Sequence, residues 1–81
     1  MTYEDDAMYA AILAQLNAEI KAAGFSVRSF AKHIGNPYDS TGDYLRGDRA
    51  LSLGFLLQYA EALGITLEEI VTRARRERLK Q

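Results

Sequence analysis

The chain has 81 residues, 48% of them hydrophobic, with six glycines, one proline, one histidine and no cysteine. That is one small domain, without disulfides or thiolate metal sites, and a lone histidine leaves too little for an imidazole-based zinc centre. The net charge is −1, but it is segregated: Glu4, Asp5 and Asp6 stand at the start, and Arg73, Arg75, Arg76, Arg78 and Lys80 crowd the end.

An acidic opening is unlike a signal peptide, and no apolar run approaches a membrane span, so a soluble, intracellular protein is expected. Tyr9, Ile12, Leu13, Leu16 and Ile20 recur at spacings of three and four. This predicts a first helix from about Asp5 to Ala23 with one apolar face. Asp5 and Asp6 there favour the positive end of the helix dipole. Ser26 is the expected N-cap of a short second helix reaching Ile34, with Val27, Phe30, Ala31 and Ile34 as its apolar stripe. In Gly35-Asn36-Pro37, Asn36 is the expected cap and Pro37 the first residue of a third helix to about Arg46. That helix is mostly polar, with Thr41, Tyr44 and Leu45 as its expected anchors. Ser52 caps a fourth helix offering Leu53, Leu56, Leu57, Ala60 and Leu63 to the core. Thr66-Leu67-Glu68-Glu69 is a capping box opening a fifth, with Leu67, Ile70, Val71 and Ala74 apolar. Gly24, Gly35, Gly47 and Gly64 each follow a helical stretch, as helix-terminating glycines do. No segment alternates as a half-buried strand would. Five helices and no sheet are predicted. Because the apolar stripe ends near Ala74, the segment 73–81 is expected to be dispensable for folding, and the chain is compatible with a longer protein cut after residue 73. The basic tail itself either grips phosphates, extends a dimer helix, leads into a further domain, or is a solvated helix end.

Two short helices separated by a tight turn form a helix-turn-helix outline, about residues 26–47. A polar second member must either be a solvated connector or present its face to a partner. A DNA major groove admits one such helix. The residues that carry the comparison further are Ser26, Phe30-Ala31, Ile34-Gly35, Gly47, Ser52-Leu53, Tyr59-Ala60-Glu61-Ala62-Leu63-Gly64 and Leu67-Glu68-Glu69-Ile70. In these the chain resembles the Cro and phage-repressor helix-turn-helix family, often called the XRE family, over more than half its length without a gap. The resemblance implies an all-α, five-helix, lambda-repressor-like DNA-binding domain. It also implies a phage immunity or bacterial repressor that occludes promoter DNA, in the cytoplasm of a bacterium or phage-infected host. Such proteins usually act as homodimers on palindromes, while the residues here leave a monomer on an asymmetric site open. The chain departs from the family pattern at Val27, where glutamine is common, at Asn36-Pro37 in the turn, at Asp39 and Asp43 in the third helix, and at Leu45.

The candidate DNA contacts are Arg28, Tyr38, Asp39, Ser40, Asp43, Arg46 and Arg49. Arg28 stands beside Val27 and takes the phosphate-anchoring role that the resemblance gives to glutamine. Tyr38 either meets a thymine methyl or a phosphate, or braces the turn. Asp39 and Asp43 either accept from cytosine N4 or solvate the helix. Ser40 either meets a phosphate or is merely tolerated. Arg46 and Arg49 flank Gly47 and are expected at the DNA backbone, the alternative being solubility alone. Lys32 and His33 fall opposite the apolar stripe of the second helix, with His33 expected to be exposed. No nucleophile, base and orienting group converge in the sequence, and no phosphate-cradling glycine loop exists. Neither enzymatic activity nor a cofactor is expected. The alternative function is a protein-interaction module or antitoxin, favoured by the pI of about 5.7 and the acidic third helix. A DNA binder should instead gather Arg28, Lys32, Arg46 and Arg49 on one face.

Overall fold

Five helices follow one another: α1 (Tyr3–Ala22), α2 (Val27–Ile34), α3 (Tyr38–Arg46), α4 (Leu53–Leu63) and α5 (Leu67–Leu79). The computed structural model describes the backbone of residues 3–80 and the side chains of residues 7–80. Among the described residues there is no strand, and no helix is long and apolar enough to cross a membrane. The side chains of Asp5 and Asp6, expected at the dipole of α1, lie outside the described residues.

Local hydrogen bonds set most helix ends. The Ser26 hydroxyl accepts from the Ser29 amide at 3.0 Å, and the Ser29 hydroxyl accepts from the Ser26 amide at 2.9 Å. Ser29 thus completes a reciprocal box that is usually closed by Glu or Gln. Thr66 and Glu69 form the expected box at α5, and Ser52 accepts from the Phe55 amide at 3.1 Å. Gly35 and Gly47, which bracket α3, adopt φ of 73° and 85°, a region costly for any residue with a Cβ. The start of α3 differs from expectation. Pro37, not Asn36, is its N-cap, and no side chain caps it. The Asn36 amide is drawn away to α4, donating to Gln58 Oε1 at 3.1 Å.

The core is formed by Leu16 and Ile20 of α1, Phe30 and Ala31 of α2, Thr41 and Leu45 of α3, Tyr59 and Ala60 of α4, and Ile70 and Ala74 of α5, all buried. Phe30 lies edge-on to Tyr59 at 5.4 Å and to Phe25 at 5.5 Å, the arrangement that aromatic quadrupoles favour. Fully burying a side chain such as Phe30 or Leu16 stabilises the fold by about 1.5–3 kcal/mol. Thr41 and Leu45 are therefore the inward anchors of α3, with Tyr44 half-buried beside them. The buried Thr41 hydroxyl is satisfied locally, donating to the Pro37 carbonyl at 2.7 Å.

Helices α1 and α5 run antiparallel. Arg73 Nη1 meets Glu19 Oε1 at 2.7 Å toward the end of α1, while Arg78 reaches the sulfur of Met8 near its start. The buried stripe of α5 ends at Ala74, which is 1% exposed, as expected, and residues 75–80 are exposed; a boundary at residue 73 nevertheless falls inside the helix and takes Arg73 and Ala74 with it. Helix α1 also holds α3. The Asn17 amide donates to the Leu45 carbonyl at 2.9 Å, satisfying a helix-end acceptor. Tyr9 holds the following loop, its hydroxyl accepting from the Leu51 amide at 3.0 Å.

Candidate nucleic-acid interface

With Thr41 and Leu45 turned inward, helical spacing decides what α3 shows to solvent. Asp39, Asp43 and Arg46 stand at i, i+4 and i+7, so they form one stripe away from the core; Gly42, on the same line, is buried, with Arg46 lying over its Cβ position. Tyr38 and Tyr44 flank the buried stripe. The polar helix is thus held at its inner face and open along its outer one.

Three arginines converge on this helix. The Arg28 guanidinium, from α2, lies 4.2 Å from the centre of the Tyr38 ring. The Arg49 guanidinium, from the loop after α3, lies 5.0 Å from the centre of the Tyr44 ring. Both distances are within the range of a cation–π contact. Neither arginine has a carboxylate partner among the described residues. Stacking engages only the face of a guanidinium, so the in-plane N–H fork that recognises phosphate stays available. Lys32 is exposed one turn after Arg28 on the same side of α2.

Arg46 is placed differently. Its Nη2 meets Asp43 Oδ1 at 2.6 Å and its Nε meets Asp48 Oδ2 at 3.1 Å. The hydrogen bond to Asp48, followed by the charges of Asp48 and Asp43, pushes the Arg46 guanidinium above its ordinary value. The side chain does not point off the end of the helix. It folds back over Gly42, where a Cβ would lie 2.9 Å from Arg46 Nη1. Asp43, a candidate acceptor for a base, therefore has one oxygen already engaged. Asp39 is exposed in the first turn, where its charge complements the dipole. Ser40 turns back on its own helix, with a long contact of 3.4 Å to the Pro37 carbonyl. His33 is exposed and stacks on Phe25, 4.9 Å between ring centres.

Behind the turn that precedes α3 sits Tyr59, whose buried hydroxyl completes no hydrogen bond. Burial pushes its phenol above the ordinary 10.0; the nearby Thr41 and Asn36 side chains oppose this only in part. Among the described residues no three of His, Cys, Asp and Glu converge to hold a metal ion.

The four cations proposed from the sequence thus fall on α2, α3 and the loop beyond it, interleaved with Asp39, Asp43 and Asp48. Tyr44, Gly42 and Asp48 are the members of this cluster that sequence reasoning missed. The three-residue spacing of Asp43 and Arg46 was a legible signal for an ion pair. The stack of Arg49 on Tyr44 was not, because it depends on how the loop after Gly47 returns. The chain matches no protein-family model, no curated protein and no solved structure.

Proposed function

We propose that this chain is a sequence-specific double-stranded DNA-binding module of a transcriptional regulator, a phage-type or bacterial repressor acting by occluding promoter DNA. In this reading α2, the turn and α3 form a lambda-repressor-like helix-turn-helix, consistent with the family resemblance in the sequence. The observation that carries it is the pair of arginine–tyrosine stacks on α3. Arg28 over Tyr38 and Arg49 over Tyr44 present two guanidiniums that no carboxylate pairs with among the described residues. A phosphate pair on either side of a groove is the ligand that such forks suit. Phosphate contacts supply affinity and register, and the outward stripe of α3 between them supplies specificity. Repression then requires no catalysis.

The test is a salt titration of duplex binding. Each phosphate contact contributes about 0.9 to the slope of log affinity against log salt. The double substitution Arg28→Ala and Arg49→Ala should reduce that slope by roughly two. An unchanged slope removes both arginines from the interface.

A protein-interaction module or antitoxin is the second reading, favoured by Leu53 and Leu57, which are 63% and 47% exposed one turn apart on α4. It requires that the chain bind no duplex in a salt-dependent manner.

A further inference from the structure

Arg46 is folded back along α3 by its ion pairs to Asp43 and Asp48. Its side chain stays 60% exposed. Gly42 is what allows the fold-back. Glycine inside a helix is unfavourable relative to alanine, and this one sits at a non-positive φ that any residue adopts. Its value is the missing Cβ, which would stand 2.9 Å from Arg46 Nη1. Two carboxylates then complete the placement: Asp43 holds Nη2 and Asp48 holds Nε. Nη1 keeps both of its hydrogens, and Nη2 keeps one.

Resting on the reading of α3 as the groove-facing helix, we propose that Arg46 is a specificity-determining residue that reads a guanine, with Gly42, Asp43 and Asp48 as the residues that position it. Two features favour a base over a phosphate. First, Arg46 with Asp43 and Asp48 carries a net charge of −1, so the cluster as a whole repels a phosphate. Arg28 and Arg49, without carboxylate partners among the described residues, are suited to that task. Second, the guanidinium sits over Gly42 in the middle of the outward stripe, flanked by Asp39 and Asp43, and not beyond the helix end.

The Asp43–Arg46 couple is also the chemical complement of one base pair. In the major groove a G·C pair shows two acceptors, guanine N7 and O6, beside one donor, cytosine N4. Arg46 offers donors, and the Asp43 oxygen not bonded to Arg46 offers an acceptor. An A·T pair shows one acceptor, a donor and then an acceptor with a methyl, which leaves one member of the couple facing its own kind. The couple therefore selects against A·T as well as for G·C.

The experiment is a selection from random duplexes with the unaltered chain, Arg46→Ala and Gly42→Ala, with thermal unfolding of each. The unaltered chain should enrich sites with a G·C pair at one defined position. Both variants should lose that preference on the order of tenfold while retaining the rest of the selected site. Gly42→Ala should keep or raise the thermal midpoint, because only the flexible end of Arg46 has to move. That separates lost reading from lost fold. If Arg46→Ala weakens every duplex alike with the selected site unchanged, Arg46 is a phosphate contact and the proposal is overturned while DNA binding stands. If Gly42→Ala leaves the preference intact, the positioning role is overturned. If the unaltered chain enriches no sequence, the DNA reading itself fails and this proposal with it.

Discussion

Tyr59→Phe should stabilise the protein. The hydroxyl of Tyr59 is buried and completes no hydrogen bond, whereas the ring is packed edge-on against Phe30 at 5.4 Å and lies 6.3 Å from Phe55. The substitution removes the oxygen and leaves the ring contacts. An unpaired buried polar group costs about 1–3 kcal/mol. Thr41 and Asn36 partly offset the desolvation, which sets the expected gain near the lower end, about 1 kcal/mol. For a domain this size that raises the thermal midpoint by about 4–8 °C. The pH dependence supplies a second readout. Burial raises the phenol above 10.0, so the folded chain holds this proton more tightly than the unfolded one. The unaltered protein keeps its full stability below about pH 10 and loses this contribution as pH rises through the elevated value. The phenylalanine variant has nothing to ionise there, so its advantage should widen above pH 10. Thermal and urea unfolding at pH 7 and pH 10.5 measure both effects. A loss of 1 kcal/mol or more at pH 7 would refute the reasoning, because it would mean that the hydroxyl is satisfied in the folded state.

Deleting residues 73–81 removes the buried Ala74 and the Arg73–Glu19 contact, and should cost about 2 kcal/mol or more; circular dichroism showing an unchanged melt would mean that α5 ends functionally at Thr72. Asn17→Ala breaks the tie from α1 to the Leu45 carbonyl and should cost about 1 kcal/mol, read as a lower urea midpoint with an unaltered m value. Glu19→Gln should cost about 0.5–1 kcal/mol at low salt, and the difference should shrink in 1 M salt because Arg73 is part-exposed. A salt-independent cost would assign Glu19 to packing in place of charge.

The helix boundaries were legible in the sequence because the interactions that set them are local. Ser26, Ser52 and Thr66 each find their partner three residues on, and the helix-ending glycines answer only to their own φ. Two of the three expected anchors of α3 followed from the same short-range logic: Thr41 and Leu45 are four residues apart and share the buried face, while Tyr44 is only half-buried. The interhelical contacts were not legible. Asn17 reaches a carbonyl 28 residues away, and Arg73 reaches a carboxylate 54 residues away. Asn36 does not cap α3, and its side-chain amide faces Gln58 on another helix, donating to Oε1 at 3.1 Å. The orphaned hydroxyl of Tyr59 likewise exists only once Phe30 of α2, Asn36 of the turn and Thr41 of α3 have closed around it. At the candidate interface the division is the same. The polar stripe of α3 is a property of residue order. Which arginine stacks on which tyrosine, and which is folded back by two carboxylates, was decided by the return of the loop after Gly47 and by the packing of α2 against α3. Attraction between side chains depends on separation in space, and only the closed fold sets that separation.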